Sequence, residues 1–135
     1  MGYEIDWLVA GRVIKAEYFD ELDLQTMIEI GDELVTMIDS ADSPLVHVLM
    51  DTERVTQYPH QVAQLVKTAN NIYRNPRIGW SIVYGREDRL MKFVMTTITG
   101  MFKVRFRIFN TKEDAFVFLN SVDQELPDLS SLQAI

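Results

Sequence analysis

The chain has 135 residues, no cysteine and a net charge of −7, with 47% apolar and 24% charged side chains. That length suits one domain with a sizeable core. The missing cysteines exclude disulfides, thiolate metal sites and a cysteine nucleophile, and no apolar run approaches the roughly 18 residues of a membrane helix.

The opening Met1-Gly2-Tyr3-Glu4-Ile5-Asp6 is not a basic-then-apolar secretory signal. A cytoplasmic protein with no cofactor is therefore expected. Charge is spread unevenly. Residues 1–66 hold 3 basic and 13 acidic side chains, residues 67–112 hold 10 and 2, and residues 113–135 hold 5 acidic and none basic. Overall acidity weakens attraction to phosphate, so neither nucleic acid nor membrane is expected as a partner.

Tyr3 to Val9 alternates apolar and acidic residues, the period of a strand with one wet face. Ala10-Gly11 permits a tight turn, and Arg12 to Phe19 reads as the second strand of a hairpin. From Leu24 the period becomes helical: Leu24, Met27, Ile28, Gly31, Leu34, Val35 and Ile38 form one stripe. Asp23 is the predicted N-cap, and Ser43-Pro44 ends the helix. Gly31, on the stripe, implies close approach of this helix to the sheet.

Val46 to Met50 is the next strand, followed by a polar loop. Pro59 suits the first turn of a helix whose stripe is Val62, Leu65, Val66, Ala69, Ile72 and Tyr73. Ile78 to Tyr84 is an apolar strand, and Asp88 starts a helix running to about Gly100. In the last strand, Val104, Phe106 and Ile108 face one way and Arg105 and Arg107 the other. Thr111 opens a final helix with the stripe Ala115, Phe118, Leu119 and Val122.

The predicted fold is α/β: a single-layer mixed, largely parallel sheet of about five strands with four helices. Residues 1–122 form the domain, and 123–135 a loosely docked or disordered tail. Glu4, Asp6 and Glu17 on the first strands, with Arg105 and Arg107 on the last, imply a partly covered sheet face where opposite charges pair across strands.

The element order resembles the SpoIIAA-like branch of the STAS superfamily, the fold of anti-sigma-factor antagonists. The resemblance rests on the Val46–Asp51 strand, on Pro76-Arg77-Ile78-Gly79-Trp80-Ser81-Ile82-Val83, and on Arg105-Phe106-Arg107-Ile108-Phe109-Asn110-Thr111-Lys112-Glu113-Asp114-Ala115. It covers most of residues 3–122 and extends in fold to the CRAL-TRIO lipid carriers. It implies a non-enzymatic module that binds protein partners, is in some members phosphorylated, and in others binds nucleotide. The switch serine of such modules lies in an Asp-Ser-Ser-Gly-like turn. The matching Thr56-Gln57-Tyr58-Pro59-His60 holds neither serine nor glycine; turn chemistry accounts for Thr56 and packing under the proline for a half-buried Tyr58, with phosphate acceptance at either the alternative.

Strand-end loops are where open α/β sheets place ligands. Asp51, Thr52, Thr56, Tyr58 and His60 are therefore the candidate binding residues. His47 and His60 match no metal spacing. A catalytic reading requires His47, Asp51 and His60 to converge in one cleft; a hydrogen-bonded structural role for His47 is the simpler one. The helix beyond Asp88 carries two adjacent apolar stripes, more than one sheet contact requires. Met91, Met95, Ile98 and Phe102 in the second are a candidate homodimer interface. The alternative is a carrier or sensor of a small apolar or anionic ligand, held between that helix and the sheet. Four arginines, Arg74, Arg77, Arg86 and Arg89, bracket the Trp80 strand.

Overall fold

Every predicted strand and helix is present, with shifted ends and one short helix added. The computed structural model describes residues 2–85, 89–102 and 105–132. An N-terminal hairpin joins β1 (Tyr3–Val9) to β2 (Val13–Glu21), and α1 (Leu24–Ser40), β3 (Val46–Gln57) and α2 (Val62–Tyr73) follow. Then come β4 (Ile78–Tyr84), α3 (Arg89–Phe102), β5 (Phe106–Phe109), α4 (Lys112–Val122) and α5 (Leu129–Leu132). The expected α3 cap Asp88 and the β5 residue Val104 lie outside the described residues, as do the side chains at 90, 91, 94, 98, 99, 101 and 102.

Two helix starts are set by side-chain caps. Asp23 accepts the N–H of Thr26 at 2.8 Å, and the Thr111 hydroxyl accepts the N–H of Asp114 at 3.1 Å. Each satisfies an orphan donor of a first turn. The α2 start differs from expectation: Pro59 precedes the helix, whose N-cap is Gln61 with no side-chain cap.

The strands lie in the order β1-β2-β3-β4-β5. The first pair is antiparallel and the other three are parallel. α1, α2 and α3 cover one face through Ile30, Leu34, Ile38 and Leu65; α4 and α5 cover the other through Phe116, Leu119 and Leu129. Gly31 does approach something closely, but it is α2: a Cβ there would stand 3.3 Å from the Thr68 methyl. The sheet order also overturns the expected cross-strand charge pairing. β1 and β5 are opposite edges, so their charges never meet, and Glu4 stands directly across from Glu17. Arg107 instead lies over the rings of Trp80 and Phe118, at 5.7 and 5.6 Å from their centroids.

Register slips once between β3 and β4. Val46 faces Ile78 but Val48 faces Ser81, so β4 holds one extra residue. Such a bulge reverses which side chains face which way. Ile78 packs with Val46 on the α1 side, while Trp80, Ile82 and Tyr84 belong to the α4 side. Gly79 makes this possible, because a Cβ at that position would run into the His47 imidazole and stand 3.2 Å from the Val46 carbonyl oxygen.

The segment after residue 122 departs most from expectation. Rather than a loose tail, Asp123–Leu132 is packed: Leu126 and Leu129 are buried in the α4-side core. Asn120 ties it down by donating to the Pro127 carbonyl at 2.9 Å and accepting the Leu129 N–H at 3.1 Å. The leucine spacing in a polar, proline-containing stretch hid this, since a four-residue helix has no periodicity to read. Leu129→Ala should therefore cost about 2–5 kcal/mol of unfolding free energy in urea titrations. An unchanged midpoint would mean that the segment is not part of the core.

Candidate functional site

A cavity of about 360 Å3 lies between the sheet and the three helices α1, α2 and α3. Its walls are Met27, Ile30 and Leu34 from α1, Leu65, Ala69 and Ile72 from α2, Met50 and Val83 from the sheet, and Met95 from α3. The polar atoms near it are largely engaged. The Thr52 hydroxyl donates to the Tyr84 carbonyl at 3.1 Å and Thr68 to the Gln64 carbonyl at 2.9 Å. Exposed Lys92 and Asn110 supply a polar rim.

Tyr18, Tyr58 and Tyr73 also line the cavity. Burial pushes the Tyr18 pKa upward, and the neighbouring hydroxyls of Tyr58 and Tyr73 add to it. Burial likewise pushes Tyr73 up to about 12, with a hydrogen bond from Ser81 opposing. Tyr18 and Tyr73 therefore remain neutral, and the apolar rings and hydroxyls at this wall can orient a guest.

The sequence-predicted residues separate around this site. Thr52 and Tyr58 are buried and line the cavity, whereas Thr56 and His60 are exposed and Asp51, half-buried midway along β3, stands beside Tyr84, the last residue of β4. The expected loop over 52–57 is in fact strand, because β3 goes on pairing with β2 as far as Glu21 and Gln57, through two shifts of register after Glu17. Tyr58 is thus poorly placed as a phosphate acceptor, and Thr56 sits on the strand rather than at the α2 start. Met95 is only 9% exposed and packs with Leu65, facing the cavity and not an outer interface. The other interface candidates, Met91, Ile98 and Phe102, have side chains outside the described residues. Of the four arginines, Arg77 is spent on structure, donating to the Ser43 carbonyl at 2.8 Å.

His47 does not meet Asp51 or His60. Asp51 lies four residues further along the same strand, about 13 Å away at strand rise. Instead the imidazole, 3% exposed, bridges two segments. Its Nδ1 accepts the N–H of Trp80 at 2.9 Å, and its Nε2 lies 2.9 Å from Asp123 Oδ2. A backbone N–H can only donate, so Nδ1 is bare and Nε2 carries the proton it gives to Asp123. The Trp80 N–H needs this partner because the β4 bulge removes it from the ladder. Asp123 was missed in the sequence because nothing in its spacing links it to a residue 76 positions away.

Burial pushes the His47 pKa below its ordinary value. Asp123 opposes that shift, and the charges of Arg12 and Arg105 reinforce it. For Asp123, burial raises the pKa, but hydrogen bonds from His47 and the Glu125 N–H, with the charge of Arg12, outweigh it and leave it low. Arg12 reaches Asp123 at 3.3 Å. Among the described residues no cluster of three His, Asp or Glu side chains forms a metal-type site, and no helix is long and apolar enough to cross a membrane.

No protein-family model and no curated protein sequence matches the chain. Solved structures do match. The phosphorylated form of the Bacillus cell-fate determinant SpoIIAA aligns with TM-score 0.56 at 14% identity, covering 87% of this chain and 98% of that one. The anti-sigma-factor antagonist SpoIIAA in its unphosphorylated form aligns with TM-score 0.59 at 14% identity, over 93% and 98% of the two chains. An uncharacterised DUF3478-family protein from Shewanella loihica aligns with TM-score 0.60 at 13% identity, over 87% and 91%. The class defined by the architecture is an α/β single-sheet domain, and the particular fold is SpoIIAA-like.

The lowered His47 pKa has a thermodynamic consequence. Below about pH 6.5 an unfolded histidine binds a proton that the folded one resists. The stability this neutral histidine contributes is intact above that pH and is lost as pH falls through the folded value. The urea midpoint should drop between about pH 7 and about pH 5, and the slope should flatten in His47→Gln. A wild-type midpoint that is constant across this range would contradict the assigned protonation state.

Proposed function

We propose that this protein is a non-enzymatic regulatory module of SpoIIAA-like type that senses or carries a small, uncharged, apolar ligand in the cavity between α3 and the sheet. The cavity itself carries the reading. Its volume lies in the range of small-molecule sites, roughly 300–1,000 Å3, and its lining is aliphatic, thioether and tyrosine. Methionines at 27, 50 and 95 suit a site that adapts to its guest. The likeness to an anti-sigma-factor antagonist supports a regulatory use of such binding, in which an occupied cavity changes what the domain presents to a partner.

A second reading, association between copies through the outer face of α3, draws on Phe93, which is 61% exposed. It predicts a concentration-dependent dimer in sedimentation that Phe93→Asp dissociates. A chain that sediments as a monomer at high concentration removes it.

The ligand reading is tested with an uncharged fluorescent probe, N-phenylnaphthylamine. Binding should saturate at one probe per chain. Ala69→Phe, which places a ring in the cavity, should weaken it at least about tenfold without lowering the thermal midpoint, because filling a void adds packing. Absence of saturable binding, or binding indifferent to Ala69→Phe, would overturn the reading.

A further inference from the structure

The sheet ends on β1 at one side and on β5 at the other, and the two edges carry opposite charge. Glu4 and Asp6 are exposed on β1; Arg105 and Arg107 are exposed at β5. Within one chain these charges cannot meet. Glu4 instead stands across from Glu17, a like charge. Among the described residues neither arginine pairs with a carboxylate. Arg105 reaches the Ile78 carbonyl at 3.4 Å, and Arg107 lies over the rings of Trp80 and Phe118.

The backbone at both edges points outward in matching phase. On β1, the Gly2 carbonyl accepts the Phe19 N–H at 2.9 Å, so the even-numbered residues face β2. Tyr3, Ile5 and Trp7 therefore turn their N–H and C=O groups away from the sheet. The Trp7 N–H shows the consequence: it donates to the carboxylate of its own neighbour, Asp6, at 2.8 Å. On β5, the Arg105 carbonyl accepts the Ser81 N–H at 2.9 Å, and Ser81 is in register with Phe106. The alternation of a parallel ladder then leaves Phe106 and Ile108 with outward backbone groups.

The side chains match as well. Tyr3, Ile5 and Trp7 pack on the α1 side of the sheet, and Phe106 and Ile108 line the cavity on that same side. Alternation sends Glu4 and Asp6 to the α4 side, where Arg107 lies. β1 runs opposite to the four parallel strands. A second copy continuing the sheet would thus place its β1 antiparallel to β5. We propose that β1 of one copy pairs with β5 of the next, with Glu4 opposite Arg107 and Asp6 opposite Arg105. In that register Tyr3 meets Ile108 and Ile5 meets Phe106, so the outward backbone groups bond one another. The 42% exposure of Ile108 falls on this contact.

Charge also selects against the other edge pairings. Two β5 edges would bring arginines together, and two β1 edges would bring carboxylates together. The favoured contact joins unlike surfaces, so each added copy presents a fresh edge and the assembly grows head to tail.

Sedimentation velocity of the full chain over a dilution series at low ionic strength tests this. The average mass should rise with concentration past that of a dimer. Glu4→Arg with Asp6→Arg should hold the chain as a monomer, as should Arg105→Glu with Arg107→Glu. Mixing the two double variants should restore assembly, because each then offers the edge that the other has lost. Ile108→Lys should block assembly without altering either charge set, and it decides the matter should a double variant fail to fold. Phe93→Asp, on the outer face of α3, should leave assembly unchanged. A wild-type chain that stays monomeric or stops at a dimer would overturn the proposal. So would folded double variants that do not assemble on mixing, an Ile108→Lys chain that assembles as wild type does, or loss of assembly in Phe93→Asp.

Discussion

The imidazole of His47 is the interaction on which the two faces of this domain depend. By accepting the Trp80 N–H it satisfies the backbone donor that the β4 bulge leaves out of the ladder. The bulge in turn decides which way β4 side chains point. With it, Ser81 and Val83 turn toward α2 and the cavity, while Trp80, Ile82 and Tyr84 turn toward α4. A one-residue change of register would exchange those sets and place aromatic rings where the cavity is. Gly79 leaves room for the ring, and Asp123 holds its other nitrogen. A local backbone irregularity is thereby tied to the C-terminal segment, more than seventy residues away.

That link divides the molecule into two unlike halves. The α1–α3 side is apolar and incompletely filled, and its Tyr18 and Tyr73 remain neutral. The α4–α5 side is closely packed around Phe116, Leu119 and Leu129, with Arg107 laid over aromatic rings at its edge and carboxylates gathered at one end. Both halves share one strand: β4 turns Val83 toward the cavity and Trp80 and Ile82 toward α4, and Thr52 bonds to the carbonyl of Tyr84 at its end.

Much of this architecture was legible in the sequence because it is local. Period-2 and period-3.6 patterns gave the hairpin and the helices, and Asp23 and Thr111 announced their helices by cap chemistry. What was not legible is long-range. Strand order is absent from periodicity, so the acidic residues of β1 and the arginines of β5 looked like partners until the sheet put them at opposite edges. The bulge is one residue in a run of apolar ones, and Gly79 carries no mark that separates a close approach from a turn. Asp51, Thr52, Thr56, Tyr58 and His60 were grouped because they adjoin one another in sequence. β3 continued as a strand through Gln57, and alternation then sent Thr52 to the cavity and Asp51 away from it. The space between the 88–102 helix and the sheet was foreseeable from surplus apolar residues, but the burial of Met95 on its inner side was not.

The central claim is that the cavity between α3 and the sheet holds an apolar molecule. Native mass spectrometry of the protein purified from its own cells tests it most directly. The account predicts a second species heavier by the mass of one small molecule, which disappears on denaturation and is recovered in organic extract. A spectrum containing the chain mass alone, and still alone after incubation of the protein with an extract of those cells, would contradict it.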